Sequence, residues 1–176
     1  MTLERTPGYS SAMGIPARLI DFLDQSKVRY EILHHPEAFT SHELAAIEHV
    51  KGKDRAKVVM VKTGAEIIMA VLPTDRRLDL EKISKIAGQP AAVAVEAEFK
   101  PMFPDCAIGT MPPFGHLYGV ATYVDRSVAE ADRLVFEAGT HSDAIKMKYA
   151  DYERLAKAIL ADFAVKLHLA AGNQSR

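Results

Sequence analysis

Residues 55–72 read RAKVVMVKTGAEIIMAVL, and this stretch decides the fold. The runs 56–61 and 67–72 are rich in Val and Ile, which favours β-strands. Thr63-Gly64-Ala65 separates the two runs, and a short Gly-containing break between apolar runs predicts a β-hairpin. We therefore expect a sheet built outward from this pair of strands.

The segments around the hairpin alternate between helical and extended patterns. Asp79 and Gly88 are the predicted start and stop signals of one helix, at 80–87. The other expected helices are 16–25, 40–49, 96–103 and 151–163, and the other expected strands are 28–33, 91–95, 106–108, 117–124, 133–137 and 143–148. Strands and helices do not alternate regularly, so the order favours an α+β domain with an antiparallel or mixed sheet that curves toward a barrel.

Length and composition predict one globular domain. The 176 residues are 48% hydrophobic and 26% charged, which is ordinary for a single folded domain. We expect a flexible polar tail over residues 1–14 and a single domain over residues 15–170. Cys106 is the only cysteine, so an intramolecular disulfide and a Cys-rich zinc site are excluded. With no secretory or membrane-spanning pattern, we expect a cytoplasmic protein that does not bind membranes.

The charge balance argues against a protein that grips long nucleic acids. The formal net charge is −1, whereas dense phosphate contacts require a basic excess. Binding to DNA is therefore not expected. One local basic stretch is an exception, and it consists of Lys51, Lys53, Arg55, Lys57 and Lys62. It is either a local RNA contact or a solvated loop.

Several familiar catalytic motifs are absent. The sequence has no phosphate-binding Gly-rich loop and no nucleophile elbow. His42-Glu43 begins like a zinc-protease helix, but Ala46 stands where the second histidine is required. We therefore expect no metal and no cofactor. Cys106 has no neighbour that would activate its thiol, so we interpret it as a structural cysteine.

Three segments remain as candidate sites. Lys57 opens the first apolar strand and is either functional or a solvated strand-edge lysine. The loop 109–115 is dense in Gly and Pro, and it either presents backbone N–H groups to a substrate oxygen or is a rigid turn. Gly139-Thr140-His141 follows a strand, as a site element or as a turn with a solvent-facing histidine.

In this order and spacing, the three segments resemble the signatures of the YbaK/ProX family. They are 56–61 (AKVVMV), 109–113 (GTMPP) and 138–141 (AGTH). The family contains free-standing aminoacyl-tRNA deacylases and the editing domain of bacterial prolyl-tRNA synthetases. The resemblance covers roughly residues 16–163. It implies a mixed α/β domain, with a curved, partly barrel-like mixed sheet surrounded by helices, that acts on the amino acid at the 3′ end of tRNA.

The resemblance also implies roles for individual residues. Lys57 matches the family's essential lysine, and Gly109 matches the loop that presents backbone groups; these two are the predicted catalytic residues. The predicted substrate-binding residues are Thr110, Met111, Pro113, Phe114, Gly139 and His141. The implied reaction is attack of water on the aminoacyl ester. Backbone N–H groups near Gly109 would stabilise the oxyanion, and Lys57 would place its charge on that oxyanion or on the terminal phosphate.

Departures from the family pattern leave alternatives open. Val58 stands where some members have Asn, so one specificity contact is absent. A small amino acid such as Ala, Ser or Pro is what the family implies for the substrate. A non-catalytic module that binds aminoacyl-tRNA or an amino acid is the alternative function, and the sequence does not determine the oligomeric state.

Overall fold

A computed structural model describes residues 14–35 and 50–167. Within these ranges the chain forms helices α1 (Ala17–Gln25), α2 (Leu80–Ala87), α3 (Glu96–Phe99) and α4 (Tyr149–Ala156). The strands are β1 (Tyr30–His34), β2 (Ala56–Thr63), β3 (Glu66–Pro73), β4 (Arg76–Leu78), β5 (Ala91–Val93), β6 (Ala121–Asp125), β7 (Arg133–Glu137), β8 (Asp143–Lys148), β9 (Ile159–Ala161) and β10 (Ala164–Lys166). None of the described helices is both long and apolar enough to cross a membrane.

The predicted hairpin is the centre of the largest sheet. β2 and β3 pair antiparallel from Ala56↔Pro73 to Thr63↔Glu66, which leaves a two-residue loop. The five-stranded sheet runs β5-β2-β3-β6-β9, with β6 and β9 joined in parallel. The hairpin prediction is therefore confirmed, and β2 lies at the interior of the sheet near β5.

A second sheet stands next to the first. It has three antiparallel strands in the order β1-β8-β7, while β10 and β4 form a separate two-stranded ribbon. A single parallel bridge between Arg55 and Val135 links the edge of β2 to the edge of β7. The mixed α+β class is confirmed. None of the sheets in the described ranges closes on itself, so the partly barrel-like curvature stays a prediction.

Helix α1 forms where the apolar spacing predicts it. Pro16 occupies its N-cap position, and Leu19, Ile20 and Leu23 are buried on one face. Burial of each such side chain stabilises the fold by about 1.5–3 kcal/mol at most. These residues join the main hydrophobic cluster, which also contains Phe114, Phe136 and Tyr152.

Helix α2 confirms both of its predicted end signals. The Asp79 carboxylate accepts hydrogen bonds from the Glu81 and Lys82 N–H groups, and Gly88 ends the helix in a left-handed conformation. Its buried Ile83 belongs to a second, smaller cluster on the other face of the large sheet, together with Val61 and Phe163.

Asp125 fastens the C-terminal strands to β6. Its buried carboxylate accepts hydrogen bonds from the Phe163 and Ala164 N–H groups, both at 2.7 Å, and from the backbone and hydroxyl of Ser127. Burial raises the pKa of Asp125, but these hydrogen bonds lower it by more, so the net shift is downward.

Some sequence predictions were wrong. Residues 106–108 are turns rather than a strand, and the strand expected at 117–124 begins only at Ala121, after a 3-10 turn over Gly115–Tyr118. The helix expected over 151–163 ends at Ala156, because Lys157 adopts φ +50°, and the chain then forms β9 and β10. The helix expected at 40–49 lies outside the described residues.

Candidate active site

A small pocket of about 60 Å³ opens beside the start of β2. Its lining residues are Arg55, Ala56, Lys57, Val58, Thr74, Gly109, Met111, Phe136 and Glu137. The structure thus brings Lys57 together with Gly109 and Met111, although they lie more than fifty residues apart in the chain. All three are site residues that the sequence analysis predicted.

The pocket lies where two strand edges separate. β2 uses one edge along its whole length for β3, but its other edge pairs only over Val61–Thr63, with β5. β7 pairs with β8 on one edge, and its other edge touches β2 at the Arg55–Val135 bridge. No further bridge joins these two strands in the described residues, so unpaired strand edges form part of the pocket wall.

The pairing pattern shows which backbone groups face the pocket. The Thr74 N–H donates to the Arg55 carbonyl at 2.8 Å, so Arg55 directs its hydrogen bond toward β3. Backbone groups alternate in direction along an antiparallel strand. Those of Ala56 and Val58 therefore point away from β3, toward the side on which the pocket lies.

Lys57 is half-buried beside this edge. It pairs with Leu72 of β3, and burial lowers the pKa of its ammonium group. The negative charge of Asp75 raises that pKa by a smaller amount. A cation with reduced hydration interacts strongly with a nearby negative charge, because little water screens the pair.

The Gly109 loop contributes backbone donors. Gly109 is exposed with φ +83°, a conformation that favours glycine. The Thr110 hydroxyl donates to the Ala107 carbonyl at 2.7 Å, which tightens the turn from inside. Among the described residues, the N–H groups of Gly109 and Met111 donate to no backbone carbonyl. Both residues line the pocket, so their N–H groups are candidate donors to a substrate oxygen.

Gly139 ties this loop to the end of β7. Its N–H donates to the Thr110 carbonyl at 2.8 Å, and its carbonyl accepts from the Ala107 N–H at 2.9 Å. Gly139 has φ +88°, and a Cβ added there would lie 2.5 Å from Cδ of Pro16. Two of the segments singled out in the sequence are thus joined by backbone hydrogen bonds.

Other predicted site residues lie beneath or beside the pocket rather than in its lining. Phe114 is fully buried, and its ring packs edge-on against Phe22, Phe136 and Tyr152. Pro113 is buried, and its carbonyl accepts a hydrogen bond from the Tyr152 hydroxyl at 3.0 Å. Both residues support the loop from the core side.

His141 is exposed in the turn between β7 and β8. The neighbouring Thr140 hydroxyl donates to Asp143 at 2.7 Å and also accepts the Ser142 N–H. The structure therefore fixes this turn through Thr140, and His141 is not among the residues that line the pocket.

Sequence reasoning missed an ion pair at the pocket wall. Arg55, which is 1% exposed, donates a hydrogen bond to the Glu137 carboxylate, and His35 Nε2 lies 3.6 Å from that carboxylate. Removing one partner of such a buried pair typically costs about 3–5 kcal/mol. Arg55 stood in the basic stretch, but nothing in the sequence pointed to Glu137 as its partner.

Cys106 lies just before the loop, as a structural residue. Its Sγ is 3.2 Å from the Tyr118 hydroxyl, and burial raises the pKa of its thiol to about 11. Arg18 stacks on the Tyr118 ring and donates to Asp105 at 2.7 Å, which closes the cluster. In the described part of the chain, no group of three His, Cys, Asp or Glu side chains is arranged to hold a metal ion.

A family model and a known protein match most of the described chain. A family model described as an aminoacyl-tRNA editing domain matches residues 35–155. The Escherichia coli (strain K12) protein named Multifunctional Ser/Thr-tRNA deacylase ProXp-y is 27% identical over 152 residues, which are 83% of this chain and 90% of that protein.

Two crystal structures share the fold. The hypothetical protein APE2540 superposes with a TM-score of 0.76 at 19% identity, over 84% of this chain and 99% of its own. A candidate trans-editing enzyme for prolyl tRNA synthetase superposes with a TM-score of 0.75 at 21% identity, over 86% and 96%.

Proposed function

This chain belongs to the aminoacyl-tRNA editing domain family, and we propose that it is a free-standing enzyme that removes small, wrongly attached amino acids from tRNA. Its activity is aminoacyl-tRNA deacylation, the hydrolysis of an ester. The proposal concerns which ester is cleaved and which residues act on it.

One observation carries the assignment of residues. Lys57, Gly109 and Met111 line the same pocket, at the point where the edges of β2 and β7 separate. The pocket therefore combines a partly desolvated cation with backbone N–H groups that have no backbone acceptor among the described residues. Both features stabilise negative charge on an oxygen.

The proposed reaction needs no nucleophilic side chain. An aminoacyl ester is already activated, so positioning of water supplies much of the rate. Attack of water on the ester carbon gives a tetrahedral oxyanion, which the N–H groups at Gly109 and Met111 stabilise. Lys57 adds positive charge to the oxyanion or to the terminal phosphate. A neighbouring ribose hydroxyl accepts the proton of the attacking water and donates its own proton to the leaving ribose oxygen, as collapse of the oxyanion breaks the bond between the carbonyl carbon and that oxygen.

The size of the pocket supports a small amino acid. A volume of about 60 Å³ is less than half of the about 150 Å³ of a cavity that holds benzene, which favours small side chains such as those of alanine, serine or proline. Selection by size is weak, because one methylene is worth only about 1–3 kcal/mol. We therefore propose a set of small esters rather than a single one.

Other parts of the proposal rest on the sequence. Residues 15–170 are proposed as the deacylase domain, with residues 1–14 as a tail and a partly barrel-like curvature. The proposed location is the cytoplasm, without DNA binding. Thr110 and Gly139 shape the loop through their hydrogen bonds, Pro113 and Phe114 support it from the core, and His141 stays a proposed substrate contact.

The test is a panel of tRNAs mischarged with labelled small amino acids, with serine and threonine first because the Escherichia coli relative is named for them. Wild-type protein is expected to release at least one of these amino acids. Lys57→Ala is expected to be at least about 100-fold slower, since loss of one oxyanion-stabilising group has about that effect.

Lys62→Ala is the matched control. Lys62 lies on the same strand but is exposed and paired with Glu98, so its loss is expected to leave the rate unchanged. Equal rates for wild type and Lys57→Ala would refute the role of Lys57. Stable retention of aminoacyl-tRNA on a filter without hydrolysis would favour the binding module instead.

A further inference from the structure

The structure divides the basic stretch of the sequence into separate parts. Lys62 Nζ lies 2.5 Å from the Glu98 carboxylate, at the far end of β2. Arg55 is buried against Glu137, and Lys57 lines the pocket. Two members of the stretch have no place in the site so far described. They are Lys51 and Lys53, both exposed, around the 3-10 turn Gly52–Asp54.

This turn is fixed to the wall of the pocket. Thr74, which lines the pocket, donates to the Gly52 carbonyl twice, from its N–H at 3.1 Å and from its hydroxyl at 3.0 Å. Gly52 also lies close to Asp75, where an added Cβ would come within 3.0 Å of the Asp75 Cβ. The backbone that carries Lys51 and Lys53 is thus held at a defined position next to the pocket.

A larger open groove of about 320 Å³ adjoins the turn. Its lining residues are Val50, Lys53, Asp54, Glu130, Asp132, Arg133, Val135 and Lys146. Cations and carboxylates are equal in number among them, so the groove as a whole is not a surface for polyanions. Val135 connects it to the pocket, because the same residue forms the bridge to Arg55.

We propose that Lys51 and Lys53 bind backbone phosphates of the single-stranded acceptor end of tRNA, next to the adenosine whose ester lies in the pocket. This inference rests on the proposed function. Lys53 precedes Lys57 by four residues, so an extended chain places their Cα atoms within about 13 Å of each other. The few nucleotides before the terminal adenosine span that distance. Such a local contact is compatible with a net charge of −1.

The experiment compares two substrates that carry the same amino acid. One is the aminoacyl-tRNA, and the other is the 3′-aminoacyl-adenosine, which has no phosphate. The Lys51→Ala/Lys53→Ala protein is expected to have a higher KM for the tRNA at low salt, with kcat unchanged, and unaltered kcat/KM for the adenosine ester. The slope of log(kcat/KM) for the tRNA against log[salt] should be less steep by about 1.4 when two phosphate contacts are lost. Between about 50 and 200 mM salt, kcat/KM of this variant should therefore fall by a factor about 7-fold smaller than that of wild type.

Two further variants control for other causes. Lys51→Arg/Lys53→Arg keeps both charges and is expected to restore the wild-type salt slope. Lys82→Ala/Lys85→Ala removes two exposed lysines from α2 and is expected to change nothing. Three results would each overturn the inference while the proposed function stands. The alanine variant loses kcat/KM equally on both substrates, its salt slope equals that of wild type, or wild type hydrolyses the adenosine ester as efficiently as the tRNA. If wild type hydrolyses neither the aminoacyl-tRNA nor the adenosine ester, both the inference and the proposed function are overturned.

Discussion

Replacement of Gly139 by alanine tests how the end of β7 is joined to the Gly109 loop, two segments that are distant in sequence. Gly139 has φ +88°, and its backbone donates to Thr110 and accepts from Ala107. An added Cβ would lie 2.5 Å from Cδ and 2.7 Å from Cγ of Pro16. The substitution therefore imposes backbone strain and a collision at the same residue.

The magnitude follows from these two contributions. A non-glycine residue in a sparsely populated backbone region costs about 1–3 kcal/mol. Forcing a methyl group into packed surroundings costs about another 1–3 kcal/mol. Gly139→Ala is thus expected to lower the free energy of unfolding by about 2–6 kcal/mol, which is a large part of the about 5–15 kcal/mol of an ordinary domain.

Urea unfolding provides the assay, with Gly88→Ala as the matched control. Gly88 has φ +70°, but an added Cβ would meet no atom within 4 Å, so only the backbone contribution applies. Gly139→Ala should be about 1–3 kcal/mol less stable than Gly88→Ala. Adding Pro16→Ala should recover part of that difference, because it removes the colliding ring atoms. Equal stability of the two single variants would refute the reasoning.

Three further predictions concern charges and thiols. The pKa of Asp125 is lowered in the fold, so the ionised carboxylate stabilises the folded state fully above the unfolded-state pKa, and this stabilisation is lost as pH falls through the folded-state pKa. By urea unfolding, Asp125→Asn should be about 1–3 kcal/mol less stable than wild type at pH 7. The difference should shrink below about pH 4. Cys106, with a thiol pKa raised to about 11, should react slowly with iodoacetamide at pH 8 in the native protein and rapidly in urea; fast native labelling would contradict this. Asp75→Asn removes a charge that raises the pKa of Lys57, so the alkaline limb of the profile of kcat/KM against pH should move to lower pH, and an unmoved limb would show that the proton on Lys57 is not required.

Local signals predicted the parts of the fold that depend on near neighbours. The β2–β3 hairpin and both ends of α2 follow from residues within a few positions of each other, such as Asp79 and its two N–H donors. The predicted end of helix α4 was wrong because the apolar spacing of Leu155, Ile159 and Phe163 continues past Ala156, where the helix ends. Ile159 instead pairs in parallel with Tyr123, and no local pattern reveals that pairing.

The candidate site also contains some residues that the sequence predicted and others that only the structure shows. The sequence singled out Lys57, Gly109 and Met111, and the structure places them around one pocket. The pair of Arg55 and Glu137 joins residues 82 positions apart, and a single sequence does not show which distant charges meet. The apolar character of Phe114 fits both a pocket and a core, and only the packing shows that its side chain lies in the core.

The bridge between Arg55 and Val135 also determines when a newly made chain becomes competent. β2 is synthesised early, but its partner at the pocket belongs to β7, and β7 depends on β8 for its own pairing. A chain made only as far as β6 therefore contains Lys57 but lacks Phe136 and Glu137, two of the residues that line the pocket. Hydrolytic activity should therefore appear only after β7 has been made.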